Sequence, residues 1–133
     1  MNSRFETLVL DSQGLSAWIA QDREVLAVLR AFHGMGAEVV VGANTIVEVG
    51  HGRINLSRLS WVLSQARVEP VTARTARAAA QLLREAGLGG HRHAVDATVA
   101  EVACRQPGPV AMLTSDVGDM RRLCGDRVRL VRV

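Results

Sequence analysis

Four carboxylates lie beside or within apolar runs of the sequence, where an ionised side chain is not expected. They are Asp11, Glu48, Asp96 and Asp116. A buried ion costs several kcal/mol unless it is paired or binds a cation, so such positions are normally avoided. Four such acids in one small domain predict a shared cation.

The chemistry expected from such a cluster is metal-assisted hydrolysis. Clustered carboxylates repel one another, and a hard cation such as Mg²⁺ or Mn²⁺ relieves the repulsion and prefers oxygen ligands. Asp119, one helical turn after Asp116, is a further candidate ligand. A metal in this setting activates water and neutralises charge on a phosphodiester, which makes phosphodiester hydrolysis the reaction that the acids would suit best.

Each acid also has a purely structural interpretation. Thr45 and Glu48 match a capping box, Asp116 can cap a helix, Asp96 suits the dipole of a helix first turn, and Asp11 can begin a turn. Four such coincidences at one edge of a sheet are less expected than one metal site.

Apolar runs alternate with helical patterns along the chain. Strands are predicted at 7–10, 38–41, 68–71, 110–114 and 128–133. Helices are predicted at 14–21, 22–35, from 45, and at 56–65, 72–85, 94–105 and 117–123. This alternation predicts an α/β fold in which a mainly parallel sheet carries helices on both faces.

Such a sheet brings the acids together. Asp11 and Asp116 end the first and fourth predicted strands, while Glu48 and Asp96 are expected in helix first turns. Ligands collect at the carboxyl ends of parallel strands, so the four side chains are expected to converge at that edge.

Length and composition narrow the setting. The 133 residues, 48% of them apolar, predict one soluble domain, 1–133. No apolar run is long enough for a membrane helix, and the segment 1–7 lacks the apolar region of a signal sequence, so a cytoplasmic location is expected. Cys104 and Cys124 have no framework spacing and are interpreted as free thiols.

All sixteen basic side chains are arginine, and lysine is absent. That excludes a lysine-bearing phosphate loop and Schiff-base chemistry. The net charge of +3 is weak evidence by itself, but arginine favours phosphate contacts, which is compatible with an anionic polymer as partner.

At this point four segments resemble those of PIN domains. They are the run 8–12 ending in Asp11-Ser12, Glu48 after the second strand, the segment 93–97 around Asp96, and the segment 113–119. The short single-domain form is similar to the VapC toxins of bacterial toxin–antitoxin pairs. The resemblance implies a Mg²⁺- or Mn²⁺-dependent endoribonuclease on a three-layer α/β/α sandwich with a central, mainly parallel sheet.

The resemblance also implies roles for the acids. The catalytic positions match Asp11, Glu48, Asp96 and Asp116. Asp11, Asp96 and Asp116 would be the main metal ligands, Asp119 an additional acid, and Glu48 a ligand or the group that orients the attacking water. A hydroxyl from Thr114 or Ser115 would orient a metal-bound water.

The implied partners are RNA, a second copy of the chain in a homodimer, and a VapB-type antitoxin whose C-terminal segment lies in an apolar groove. Candidate groove residues are Trp18, Ile19, Val25, Leu29 and Trp61. The alternative is that they belong to the core, which helical spacing favours for Val25 and Leu29.

The arginine and histidine side chains have candidate roles that follow from their positions in the sequence. Candidate phosphate contacts are Arg53, Arg92, Arg121 and Arg122, whereas Arg74, Arg77 and Arg84 fit a solvent-facing stripe. A zinc site formed by His51, His91 and His93 fits no known spacing, and His93 is interpreted as a helix cap.

Two other function classes stay open at this point. One is a catalytically silent PIN-like module that binds RNA or protein. The other is a small-molecule enzyme on a similar sheet, although the sequence lacks a glycine-rich phosphate loop after the first strand.

Overall fold

A computed structural model describes residues 4–133. Residues 1–3, part of the segment in which no signal sequence is predicted, lie outside the described residues. The strands are β1 (Thr7–Leu10), β2 (Glu38–Gly42), β3 (Arg67–Glu69), β4 (Val110–Thr114) and β5 (Val128–Arg132). The helices are α1 (Ser12–Ile19), α2 (Arg23–Gly34), α3 (Ala43–Val49), α4 (Leu56–Ser64), α5 (Ala73–Ala86), α6 (Gly90–Cys104) and α7 (Val117–Cys124), and a 3-10 turn (Gly125–Arg127) precedes β5.

The strands form one sheet in the order β3-β2-β1-β4-β5, and every neighbouring pair in residues 4–133 is parallel. At its last residue, Leu10 of β1 lies beside Val41 of β2 and Leu113 of β4. From β1 the chain adds β2 and β3 on one side and then β4 and β5 on the other. The strand order therefore reverses between β1 and β4. Ligand sites of open α/β sheets lie at such a point.

Side chains of the central strands point alternately to the two faces of the sheet and pack into two hydrophobic cores. Leu8, Leu10 and Leu113 pack on one face, and Val9 and Met112 on the other. Helices α1 to α4 cover the first face, and helices α6 and α7 cover the second with α5 packed against them. All five of these strand side chains are fully buried. The predicted three-layer α/β/α sandwich is confirmed, and its sheet is parallel throughout the described chain.

Most helix starts follow from capping side chains. Asp11 accepts a hydrogen bond from the Gly14 N–H at 2.8 Å, which starts α1 at Ser12, two residues earlier than predicted. Asp22 caps α2 through the Val25 N–H at 3.0 Å. Gly87, with a φ of 67°, ends α5 in the left-handed conformation that glycine adopts without strain.

The capping-box interpretation of Thr45 and Glu48 is wrong. Helix α3 begins at Ala43, directly after Gly42, so Glu48 lies near its end and not in its first turn. The buried Thr45 hydroxyl has no hydrogen-bond partner among the described residues. Glu48 therefore has no capping role.

Helix α6 begins at Gly90, before the predicted start at Ala94. His93 has φ −114° and ψ 15°, outside helical values, and kinks the helix there. The segment that carries Asp96 therefore starts afresh at Ala94, where the prediction placed it. Buried small side chains at Ala97, Ala100 and Ala103 let this segment approach the sheet closely.

Two further expectations concern the chain as a whole. Within residues 4–133, no helix is long and apolar enough to cross a bilayer. Cys104 and Cys124, at the ends of α6 and α7, carry free thiols as predicted.

The close approach of α1 to the sheet gives a test of stability. Substituting Gly14→Ala would place a Cβ atom 3.0 Å from the Leu113 carbonyl oxygen and 3.5 Å from the Leu10 Cβ atom. Since these neighbours must move, we expect a loss of about 1–2 kcal/mol, measured as a melting temperature lower by about 4–8 °C.

Gly118→Ala is the matched control, since Gly118 also lies in a helix first turn and has open space around its Cβ position. It should leave the melting temperature unchanged or raise it slightly. Equal melting temperatures for Gly14→Ala and wild type would contradict the close approach of α1.

Candidate functional site

A cleft of about 420 Å³ opens at the carboxyl edge of the sheet. We call it the acidic cleft, and its lining residues are Asp11, Ser12, Gln13, Glu48, His91, Arg92, Ala94, Val95, Asp96 and Asp116. The four acids that the sequence singled out thus face one cavity. They come from four places: the ends of β1 and β4, helix α3, and the second segment of α6.

Asp11 is the most buried acid of the cleft, with 3% of its surface exposed. Burial raises the pKa of its carboxyl group above the usual range, and hydrogen bonds partly offset the rise. The donors are the Thr114 hydroxyl and the N–H groups of Gly14, Ser115 and Gln13. Asp11 thus has the structural role that its turn interpretation predicts, because its side chain caps α1. It also lines the cleft.

Thr114 ties the two central strand ends together. Its fully buried hydroxyl bonds to Asp11 and accepts a hydrogen bond from the Asp116 N–H at 2.9 Å. These bonds use the hydroxyl proton and one of its two lone pairs, so the expected contact with a metal-bound water stays a prediction. Ser115 is exposed.

Asp96 lies among the other acids. Its pKa is raised from 3.8 to about 6, first by burial and then by the charges of Asp116, Asp11, Glu48 and Asp119, in that order. Four neighbouring acids that raise the pKa of one carboxyl group place it in a strongly negative environment. Such an environment attracts cations.

Glu48 and Asp116 are exposed at the rim of the acidic cleft. Asp116 occupies the N-cap position of α7, but its side chain makes no capping hydrogen bond within the described chain. The capping interpretation therefore accounts for the position of Asp116 and not for its carboxylate. Both carboxylates are available to a ligand in the cleft.

A second group adjoins the cleft. One ligand atom each from His93, Asp96 and Asp119 lies within 4.8 Å of the other two. The Nδ1 atom of His93 is 3.6 Å from a carboxylate oxygen of Asp119. His93 occupies the N-cap position of the second segment of α6, as predicted, but its imidazole faces Asp119 of α7 and makes no capping hydrogen bond among the described residues. His93 is a site residue that sequence reasoning missed, and its place three positions before Asp96 was the available signal.

The candidate arginines divide into two kinds. Arg92 lines the acidic cleft together with His91, and both are exposed. Arg122 instead donates a hydrogen bond to the Ala86 carbonyl at 2.8 Å, which gives it a structural role between α7 and α5. Arg53 and Arg121 are exposed and are not among the lining residues of the cleft.

An apolar groove of about 250 Å³ lies on the α1–α4 side. We call it the tryptophan groove, and its lining residues are Trp18, Leu26, Leu29, Arg30, His33, Val39, Trp61 and Gln65. Trp18 and Trp61 meet edge to face with ring centroids 6.4 Å apart. Trp61 is 49% exposed. The core interpretation holds for Ile19 and Val25, which are buried and do not line the groove.

Among solved structures, the chain is similar to one described as VapBC2 from Rickettsia felis bound to a DNA fragment from their promoter. The TM-score is 0.71, and the match covers 96% of this chain and 98% of that chain at 15% sequence identity. This chain therefore shares its fold with a chain of the VapBC2 structure. At this identity the likeness shows the fold alone. No family model and no curated protein matches the sequence.

The raised pKa of Asp96 predicts how the metal-free protein responds to pH. Because its folded-state pKa, about 6, lies above the ordinary 3.8, Asp96 contributes stability below about pH 4 and loses that contribution as the pH rises through 6. Without metal, Asp96→Asn should therefore melt a few degrees higher than wild type at pH 7.5, and the gap should close near pH 4.

Thermal unfolding in EDTA between pH 4 and 8 measures this gap. Asp126→Asn removes an exposed acid of the 3-10 turn and serves as control. A wild type that is more stable than Asp96→Asn at pH 7.5, or a gap that does not vary with pH, would contradict the environment described for Asp96.

Proposed function

We propose that the chain is a metal-dependent endoribonuclease that hydrolyses RNA phosphodiester bonds as the toxin of a toxin–antitoxin pair. We further propose that residues 1–133 act as one domain in the cytoplasm. The observation that carries the proposal is the convergence of Asp11, Glu48, Asp96 and Asp116 on one cleft at the strand-order reversal, with Asp119 beside it. Acids that destabilise one another without a cation are retained most simply for binding one.

The donor set fits a divalent metal. Asp11, Asp96 and Asp116 supply carboxylate oxygens at one edge of the sheet, which are the ligands that Mg²⁺ and Mn²⁺ take. These three residues would hold the ion, with Asp119 as an additional acid. A bound divalent ion supplies charge neutralisation on the phosphodiester and acidifies a water molecule.

The chain's own side chains perform the remaining tasks. The exposed carboxylate of Glu48 accepts a hydrogen bond from the attacking water and so orients it toward the phosphorus atom. Arg92, also exposed on the wall of the cleft, binds a phosphate of the RNA through its guanidinium group. The Thr114 hydroxyl keeps the Asp11 carboxylate and the backbone of Asp116 in fixed relative positions.

The partner proposal rests on the tryptophan groove. The similar solved structure is of VapBC2 bound to promoter DNA. We propose that this chain likewise pairs with a VapB-type antitoxin, forms a homodimer, and receives an apolar antitoxin segment in the groove beside Trp61. A half-exposed tryptophan in an apolar concavity is the kind of residue that dominates binding energy at protein interfaces.

The nuclease proposal predicts that the purified protein cleaves a mixed RNA pool with Mg²⁺ or Mn²⁺ and not with EDTA. Asp96→Asn should lower the rate about a hundredfold or more, since metal-ion stabilisation of the transition state amounts to several kcal/mol. Arg92→Ala should raise the RNA concentration needed for half-maximal rate. Electrophoresis of end-labelled RNA measures both effects.

The control is Asp126→Asn, which removes one acid without touching the cleft and should cleave at the wild-type rate. Every variant is first shown to be folded, and the wild type to be free of copurified antitoxin. Folded protein that cleaves no RNA in either metal would reject the nuclease and favour a silent binding module.

The partner proposal predicts that Trp61→Ala weakens the complex with the cognate VapB-type antitoxin. We expect a loss of about thirtyfold or more in affinity, since interface tryptophans contribute about 2 kcal/mol or more. Leu56→Ala is the matched control because Leu56 is a 64% exposed apolar residue of the same helix outside the groove. Equal affinities for the two variants, measured by calorimetry, would reject the groove as the binding site.

A further inference from the structure

We propose that His93, Asp96 and Asp119 form a second metal position beside the acidic cleft, with one nitrogen and two carboxylate ligands. This position binds a divalent transition ion, with Mn²⁺ as the probe, in preference to Mg²⁺. The inference deepens the proposed function and rests on it in one respect, since Asp96, and Asp119 as an additional acid, also belong to the metal site proposed for the cleft.

The group is separate from the cleft except at Asp96. His93 and Asp119 are not lining residues of the acidic cleft, whereas Asp96 is. In the part of the chain that the structure describes, His93, Asp96 and Asp119 are the one group of three potential ligands with atoms within 4.8 Å of one another. A carboxylate shared in this way can bridge two ions, as in two-metal sites with ions about 3.5–4 Å apart.

The backbone holds the three side chains in place. The His93 N–H donates a hydrogen bond to the Gly89 carbonyl at 3.0 Å, which holds the residue at the kink of α6. Asp119 lies in the first turn of α7. Helices α6 and α7 are in contact, and Val99 and Met120, which are at most 1% exposed, belong to the same core, so the ligands project from a packed pair of helices.

The spacing of His93 and Asp119 meets the criterion for an ion pair and is also close to what a shared ion requires. His93 Nδ1 and the Asp119 oxygen are 3.6 Å apart, longer than the roughly 2.7–3.2 Å of an N–H···O hydrogen bond. Two ligand atoms that each lie about 2.0–2.2 Å from one ion are separated by about 3–3.5 Å. A small movement of the His93 and Asp119 side chains would bring their ligand atoms to that separation. A direct ion pair between His93 and Asp119 alone would leave the Asp96 carboxylate without a positive charge beside it.

Ligand chemistry decides which ion is preferred. Mg²⁺ takes oxygen ligands almost without exception, whereas Mn²⁺ and the later divalent ions accept imidazole nitrogen. The imidazole of His93 therefore discriminates between Mg²⁺ and Mn²⁺ in a way that the carboxylates Asp11, Asp96 and Asp116 alone cannot.

The test measures metal binding directly on the full chain, stripped with EDTA. Mn²⁺ binding is followed by electron paramagnetic resonance, and electron spin-echo modulation detects ¹⁴N coupled to bound Mn²⁺. The wild type should show this nitrogen coupling. His93→Asn should abolish it and lower Mn²⁺ affinity about tenfold or more, while the affinity for Mg²⁺, measured by competition, changes by less than about threefold.

His91→Asn is the matched control, since His91 lies two residues away and lines the acidic cleft. It should keep both the nitrogen coupling and the Mn²⁺ affinity. The chain has four histidines, so a triple His33→Asn, His51→Asn, His91→Asn variant retains His93 alone. Coupling in that variant assigns the nitrogen to His93 even where His93→Asn does not fold.

Three results would overturn the proposal: no nitrogen coupling in the wild type, coupling that survives in folded His93→Asn, or coupling lost in the triple variant while that variant is folded. The outcome is independent of the nuclease assay. Nitrogen-coupled Mn²⁺ in a protein that cleaves no RNA would uphold the metal position and reject the nuclease. RNA cleavage by a protein that shows no nitrogen coupling would uphold the nuclease and reject the second metal position.

Discussion

The burial of the Asp11 carboxylate is the constraint on which the site depends. Its oxygens accept hydrogen bonds from the N–H of Gly14 in α1 and the hydroxyl of Thr114 in β4, so one ionisable group joins a helix to two strand ends. Keeping an acid there costs free energy, because burial favours its neutral form. The hydrogen bonds offset part of that cost, and they fix the edge of the sheet at which the other acids gather.

Repulsion among the other acids lowers the stability of the fold, although the same acids form the candidate site. Glu48, Asp96 and Asp116 reach the cleft from different elements, and burial together with repulsion from the neighbouring acids raises the pKa of Asp96 to about 6. Two hydrophobic cores flank the sheet and tolerate this repulsion, since every residue of the central strands β1 and β4 is buried. A local conflict of this kind, kept within a consistent fold, is typical of functional sites.

The sheet could be predicted from the sequence because its strands are short apolar runs that end in polar residues. Asp11 and Asp116 were placed correctly for that reason, since a strand end needs only local signals. Glu48 was assigned to a helix first turn because Thr45 resembles a cap, whereas the helix already starts at Ala43. His93 escaped prediction because its partner, Asp119, reaches it only through the packing of α7 on α6, which no local pattern encodes.

The division of the site between the two helical layers has a mechanical consequence. Asp11 and Glu48 are attached to the layer of α1 and α3, while Asp96 and Asp119 are attached to the layer of α6 and α7. A sliding of one layer past the other by a fraction of an ångström would change the spacing between ligands without breaking a hydrogen bond of the sheet. An ion held by both layers would therefore act as a cross-link against shear, and a partner that pushes on one layer alone would loosen it from a distance.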